Sequence, residues 1–419
     1  MFALLHSLTP PSSSDEILQL VARAFDALPL ANQRVLVIIP DGTRTAPIPM
    51  LFRVLYETIG RRAARLDYLI ALGTHPPMND RAIDKLVGVA RDERQAKYPN
   101  VTILNHRWDL PDALETFGTI PREELLQLTD GMLDEPVTVR LNKLIAQYAL
   151  LILCGPVFPH EVAGFSGGAK YLIPGVAGAE IINATHWLGA LQTSMRTIGV
   201  KDTLVRRVVH RAAEFVPVPI VCISLVMQGS ELRGIFIGAY REAFAAAADL
   251  SAQLNIIRVP RLFTRVLSMP STRYDDLWTA AKAMYKTEPA IAAGGQVIIY
   301  APHISEVSYT HGALIDRVGY HVRDYFVKQA ERFRDVPGAV KAHSTHVKGA
   351  GEYDAGRGIE SPRIRVTLAT TIPEARCRRI NLGYADYRAI NVDEWKNREG
   401  EGILVVEHAG EVLYRAPFT

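Results

Sequence analysis

The chain has 419 residues, 48% of them hydrophobic and 22% charged. Its 47 basic and 44 acidic residues leave a net charge of only +3, too balanced to argue for a nucleic-acid or anionic-membrane surface. The length exceeds one ordinary core, so two domains are expected, and three isolated cysteines (Cys154, Cys222, Cys377) with no CxxC pair argue against a disulfide framework or a cysteine zinc site.

The N-terminus, Met1-Phe-Ala-Leu-Leu-His, has no basic n-region and turns polar at Pro10-Pro-Ser-Ser-Ser, unlike a signal peptide. No apolar run approaches the roughly 20 residues of a membrane span. A cytoplasmic protein is expected. Val35–Ile39 is a short continuous apolar run, as in a strand buried on both faces. It ends in the turn cluster Pro40-Asp-Gly-Thr-Arg44, and a helix follows from about Pro49. Leu66–Leu72 is the next strand, ending in Gly73-Thr-His75, with Asn79 or Asp80 capping the helix after it. Val101–Leu104, Tyr148–Cys154 and Ile220–Met227 are further strands, and Ala179–Leu191 is a helix. Arg273–Glu288 reads as a helix, Gly294–Tyr300 as the strand of a new βα segment, Gly338–Gly358 as a long functional loop with five glycines, and Gly402–Tyr414 as a β-hairpin with an Ala-Gly turn.

This alternation predicts an α/β protein of two domains. Residues 1–267 form the first, a mostly parallel sheet with flanking helices that carries catalysis and cofactor. Residues 268–419 form a smaller α/β domain that closes on the substrate, the last few residues returning to the first domain. Asp41–Arg44, His75 and His160 each follow the carboxyl end of a predicted strand, the edge where ligands bind in open α/β sheets.

The segment His160-Glu-Val-Ala-Gly-Phe-Ser-Gly-Gly-Ala-Lys170, with Pro174-Gly175 and His186 beyond it, concentrates reactive side chains around a glycine-rich turn. Glycines admit an anion to backbone N–H groups, histidine supplies a base or a metal ligand, and a desolvated lysine supplies a nucleophilic amine. The segment is not a P-loop: Ala169 and Tyr171 flank Lys170, and Pro174 interrupts the helix a P-loop would begin. Nor is it a zincin, since Gly164 stands where the second histidine would be. Taken alone, such a turn serves structure as readily as chemistry.

Four stretches together resemble the nickel-dependent lactate racemases and related 2-hydroxyacid racemases and epimerases. They are Asp41-Gly-Thr-Arg44; Gly73-Thr-His75; His160 with Phe165-Ser-Gly-Gly-Ala-Lys170, Pro174-Gly175 and His186; and Trp278-Thr-Ala-Ala-Lys282-Ala-Met284. The third is the most specific, with its lysine ten residues after the first histidine and its second histidine sixteen beyond the lysine. The resemblance runs from about residue 30 to 300 and on toward the C-terminus.

The resemblance implies an isomerase that inverts C2 of a 2-hydroxy acid by hydride transfer to and from a nickel-pincer nucleotide, a pyridinium mononucleotide with sulfur donors. By position, Lys170 looks like its covalent tether and His186 like the protein ligand to nickel. His75 and His160 look like the two acid/base residues. Arg44 and Lys282 look like the cations that hold the substrate carboxylate or the cofactor phosphate. Asp41 orients this end of the site and, with Thr43, Gly167 and Gly168, is read as lining the cofactor. The implied partners are a small 2-hydroxy acid and the enzymes that build the cofactor and insert nickel. Hydride removal suits the chemistry, because a carbanion beside a carboxylate is costly, whereas a base on each face can exchange the hydroxyl proton in both directions.

The sequence departs from the lactate racemases at Thr45, where they have Pro, at Pro76, where they have Arg, and at Thr279, where they have Gln. A substrate larger than lactate, such as an aldonic acid, is therefore expected. His303, His311, His321, His343 and His346, with Asp316, Asp324 and Tyr325, form a polar second-domain set that suits sugar hydroxyls. The alternatives are a metal-dependent hydrolase or phosphotransferase that uses the Gly-rich turn for phosphate, and a binding protein that has kept the fold without catalysis.

Overall fold

The computed structural model describes residues 4–7 and 14–417, so the polar turn at Pro10 and the first three residues of the N-terminal reading lie outside the described residues. The chain divides into two compact units. Unit 1 takes the chain up to Phe158, then Phe165–Ile182 and Arg206–Leu254; unit 2 takes Pro159–Gly164, Asn183–Val205 and the chain from Asn255 onward.

Unit 1 is built on a seven-stranded sheet. Its strands are β1 (Leu5–Ser7), β2 (Arg34–Ile39), β3 (Arg65–Ile70), β4 (Ile103–Asn105), β5 (Leu150–Pro156), β6 (Ile220–Gln228) and β7 (Glu231–Ala239), in the order β1-β7-β6-β5-β2-β3-β4. From β6 to β4 every pairing is parallel. The continuous apolar runs explain this: Val35–Ile39 and Leu150–Pro156 are buried throughout, as parallel strands covered on both faces must be. The five strands expected from the sequence are all present. The antiparallel edge β1–β7 was not anticipated, because β7 follows β6 through a two-residue turn inside a stretch with no alternation of strand and helix signals.

Strand order reverses between β2 and β5, with β3 and β4 added on one side and β6 on the other. The carboxyl ends of strands beside such a reversal open a crevice for ligands. Asp41–Arg44 follows β2, and the approach to the glycine turn follows β5.

Unit 2 holds a five-stranded, wholly parallel sheet of β8 (Phe263–Pro270), β9 (Ile291–Ala301), β10 (Arg365–Thr370), β11 (Gly383–Tyr384) and β12 (Ile403–Ala409), in the order β11-β10-β9-β8-β12. The α/β expectation is met. Among the described residues no helix is long and apolar enough to cross a membrane. The three cysteines are unpaired and buried.

Three local expectations are corrected. Gly338–Gly358 is not a loop: Gly338–Lys348 is a helix, followed by the hairpin Gly351–Asp354/Ile359–Pro362. The ten residues between Gly338 and Gly349 contain no breaker, and Val340, His343 and Val347 recur at helical spacing on a buried face. The tail is not a hairpin either. Its first run is β12, parallel to β8, and its second, Leu413–Arg415, pairs parallel with Ile256–Arg258; both runs find apolar parallel neighbours in preference to each other. Arg273–Glu288 is not one helix but two short ones, Leu277–Ala280 and Lys282–Tyr285, because Asp276 caps the first and directs the chain in late.

Candidate active site

In unit 1 the turn after β2 is an Asx turn built around Asp41. The backbone N–H of Thr43 donates to Oδ1 of Asp41 at 3.1 Å, and the Thr43 hydroxyl donates to the same oxygen at 2.5 Å. Arg44 in turn donates to the Thr43 hydroxyl at 2.8 Å. The other carboxylate oxygen, Oδ2, lies 2.5 Å from Nδ1 of His75, which follows β3. Burial alone would raise the Asp41 carboxyl, but His75, Arg44 and Thr43 outweigh it and hold it well below the ordinary carboxylate range. Asp41 is thus an ionised acceptor at neutral pH, and the His75 proton on Nδ1 is directed to it. Nε2 of His75 is left as the nitrogen that can exchange a proton. The guanidinium of Arg44 stands 5.8 Å from the Phe158 ring beyond β5.

The glycine turn of unit 1 is held from beneath. Ser166 accepts from the N–H of Phe158 and donates its hydroxyl to the carbonyl of Pro156. Arg206, fully buried, donates to the carbonyls of Gly167 at 3.1 Å and Phe165 at 2.5 Å, and stacks 3.9 Å from the Phe244 ring. Gly167 and Gly168 both have positive φ, +82° and +60°, and a Cβ would meet Val157 at 2.4 Å and Phe244 at 2.9 Å. Only glycine passes here. The turn leads into four residues of 3₁₀ helix, Gly168–Tyr171, not the long helix of a P-loop. Lys170 lies half-buried on it.

Unit 2 carries His160, His186 and Lys282. His160 is buried, and its Nδ1 accepts the Val162 N–H at 3.1 Å. The same Nδ1 lies 3.4 Å from Oε2 of Glu161. Burial would raise the Glu161 carboxyl, yet the neighbouring Lys282, His346 and Lys286 bring it down to about 2. Lys282 lies buried 5.4 Å from the Tyr274 ring, with its ammonium donating to the Thr279 carbonyl at 3.4 Å. Lys286, one turn on, donates to the Pro159 carbonyl. Thr279 gives its hydroxyl to the Asp276 carboxylate at 2.9 Å and so completes the helix cap. His186 is half-buried on the helix Ala179–Gln192.

The second-domain histidines sort into different tasks. His343 stacks on Trp278 at 4.0 Å and donates from Nε2 to its carbonyl at 3.1 Å; His311 lies 4.5 Å from the same indole. His321 meets Glu360 at 3.1 Å and stacks on Tyr325. Asp316 is tied to Arg376 and Arg379, and Asp324 to Arg323. His303 is exposed just past β9. Of this second-domain set, His311, His343 and His346 lie among the groups around Trp278, Lys282 and Glu161. Burial, the main influence on both, lowers His343 to about 3 and His346 to about 4, so these rings are neutral. Among the described residues there is no cluster of three His, Cys, Asp or Glu side chains able to hold a metal ion.

Sequence reasoning passed over Glu161, Arg206 and Lys286. Glu161 was visible only as a neighbour of His160, and Lys286 as a second lysine four residues after Lys282. Arg206 had no local signal.

Residues 12–199 match the family of lactate racemase N-terminal domains. Lactate racemases of Thermoanaerobacterium thermosaccharolyticum and Lactiplantibacillus plantarum are each 23% identical to this chain, over 279 and 301 residues. Those alignments cover 64% and 70% of this chain, and 60% and 64% of the relatives. The chain thus spans about three-fifths of the length of the curated relatives it matches. A crystal structure of a Thermotoga maritima protein superposes with a TM-score of 0.89 at 30% identity, covering 98% of this chain and all of that one. The lactate racemase apoprotein of T. thermosaccharolyticum gives 0.70 at 19% identity, over 96% and 93%, and shares the fold. The Asp41–Arg44 turn, His75, His160, Lys170 and His186 all lie inside the residues that match the family of lactate racemase N-terminal domains.

Proposed function

We propose that this chain is a racemase or epimerase that inverts C2 of a 2-hydroxy acid, with a nickel-pincer nucleotide as its cofactor. The observation that carries the reading is the His75–Asp41 pair: an imidazole held by an ionised, buried carboxylate at the strand-order reversal of a ligand-binding sheet.

The residues present fit the cofactor. Gly167 and Gly168 form a cradle that a Cβ would fill, and Lys170 stands at its end as an amine. Among the described residues no three His, Cys, Asp or Glu side chains cluster to hold a metal ion by themselves, and a nickel ion carried by the sulfur donors of the nucleotide would need only one imidazole from the chain. Lys170 would hold the group covalently and His186 would ligate its nickel. When bound, the group supplies an electrophilic ring that accepts hydride from C2 and returns it.

The chain's own residues do the rest. Arg44 and Lys282 bind the substrate carboxylate and keep it in register. His75 and His160 exchange the 2-hydroxyl proton, one for each hand of the substrate. A substrate larger than lactate, such as an aldonic acid, is supported by Thr45, Pro76 and Thr279 and by the imidazoles around Trp278. The reading places the enzyme in the cytoplasm, where cofactor-building and nickel-inserting enzymes would act on Lys170. The phosphotransferase alternative lacks a helix N-terminus after the glycine turn.

Co-expression with the cofactor-building enzymes tests the proposal. A mass increment on the Lys170 peptide, bound nickel, and inversion of at least one member of a 2-hydroxy acid panel are expected. An unmodified Lys170 with no nickel would sink the cofactor, and solvent deuterium at C2 of the product would sink direct hydride return.

A further inference from the structure

Nδ1 of His160 has two partners of opposite kind. The Val162 N–H, 3.1 Å away, can only donate. The Glu161 carboxylate, 3.4 Å away, can only accept while it is ionised. One ring nitrogen cannot satisfy both at once. When Val162 donates to Nδ1, the ring's proton resides on Nε2, and a ring with Nε2–H cannot take another proton there. When Nδ1–H turns to Glu161, Nε2 is bare and becomes a base. After Nε2 takes a proton, the charged ring still needs an acceptor at Nδ1, and a carboxylate is the strongest available.

Glu161 is suited to that task. It is buried, and Oε2 accepts no hydrogen bond among the described residues. An unpartnered oxygen on a buried anion is costly unless something donates to it in another state. The charged and titratable groups that act on Glu161 are Lys282 and Lys286, His346 on the helix Gly338–Lys348, and His160 itself. The Thr197 hydroxyl donates to the Glu161 carbonyl at 2.6 Å and so fixes the backbone from which the carboxylate reaches.

We propose that Glu161 is the positioning residue of His160: its carboxylate holds the Nδ1–H of the ring that exchanges protons, while the Val162 N–H holds Nδ1 of a resting tautomer. This rests on the reading of His160 as an acid/base residue. The proton balance closes. The substrate hydroxyl proton goes to Nε2, the O–H bond breaks as N–H forms, the Nδ1 proton stays with the ring against Glu161, and the reverse transfer restores the starting tautomer. The two candidate acid/base histidines then share one device, a carboxylate at Nδ1, supplied by Asp41 to His75 and by Glu161 to His160.

The test is nitrogen NMR of ¹⁵N-histidine-labelled, unloaded protein, with the His160 signals assigned by loss in His160→Gln. Replacing Glu161 with Gln (E161Q) should lower the His160 titration midpoint by about one to three pH units and move its neutral form to Nε2–H. Glu161→Asp keeps the charge but retracts it, and should give a smaller shift in the same direction. In the loaded enzyme the His160 limb of the pH–rate profile should move with the NMR midpoint, which a merely structural role would not cause. An unchanged midpoint and tautomer, in whichever of the two variants melts like the wild type, overturns the pairing. Turnover without the shift removes the pairing and leaves the function; the shift without turnover supports the pairing and removes the function.

Discussion

Asp41 and His75, 34 residues apart, meet at 2.5 Å, carboxylate oxygen to Nδ1. Thr43 occupies the other oxygen twice, so the carboxylate cannot rotate away. Asp41→Asn keeps the shape and removes the charged acceptor. Turnover (kcat) should fall about 10²- to 10⁴-fold, as when an acid/base histidine loses its orienting carboxylate, with a smaller change in KM. The sign of the pH effect follows. The folded carboxyl lies below its ordinary 3.8, so its stabilisation is fully present above that value and is lost as pH falls toward the depressed one. Steady-state kinetics of loaded D41N, beside thermal melts at pH 7, decide the matter; wild-type kcat would remove Asp41 from the mechanism.

Gly164 lies directly against backbone. Its φ is +79°, and a Cβ would stand 1.8 Å from the Val200 carbonyl oxygen, which cannot swing aside as a side chain could. The Gly199 N–H donates to the Gly164 carbonyl at 2.8 Å and locks the approach. Gly164→Ala should cost about 2 kcal/mol or more in urea unfolding. A loss under about 0.5 kcal/mol, within the range of ordinary surface substitutions, would mean that this close approach is not maintained in solution.

His343 is buried and neutral, its midpoint lowered from 6.5 to about 3 chiefly by burial. A base with a depressed folded midpoint leaves the unfolded chain holding the extra proton, so stability falls as pH drops from 6.5 toward 3. His343→Gln should therefore reduce the protons taken up on unfolding in that window by about one. Chemical unfolding at a series of pH values gives that number; an unchanged proton uptake would show that His343 is already charged in the fold.

What the sequence disclosed follows from the range of the signals. Runs such as Val35–Ile39 and Tyr148–Cys154 announce buried strands, because a strand covered on both faces has no polar alternation to show. The glycine turn announced itself through residues that must be glycine, at 167 and 168. Pairings that depend on distant chain segments were silent. Asp41 was legible as part of a turn, yet its bond to His75 depends on β2 and β3 lying side by side. Glu161 looked like half of a zinc motif until His160, Lys282, Lys286 and His346 were placed around it. The helix Gly338–Lys348 was hidden by the glycines at its ends, which bound the element but read as a loop.

Arg206 carries no motif, yet it connects the helix Leu204–Ala213 to the glycine turn through two carbonyls and to Phe244 through a stacked face. A planar fork is what two adjacent carbonyls need, and an ammonium cannot reproduce it. Arg206→Met fills the space but leaves the Phe165 and Gly167 carbonyls without their donors, while also removing the cost of burying a charge. The first effect is about 1–3 kcal/mol per abandoned acceptor and the second offsets part of it, so a net loss of about 2 kcal/mol is expected. Arg206→Lys should not restore it, because one point charge serves one carbonyl and loses the stacking. The two variants should also lower the fraction of Lys170 that gains mass on co-expression, since the turn that presents the lysine is no longer held. Urea midpoints and peptide mass spectrometry measure the two effects separately; a full mass increment in a destabilised Arg206→Met would assign Arg206 to stability alone.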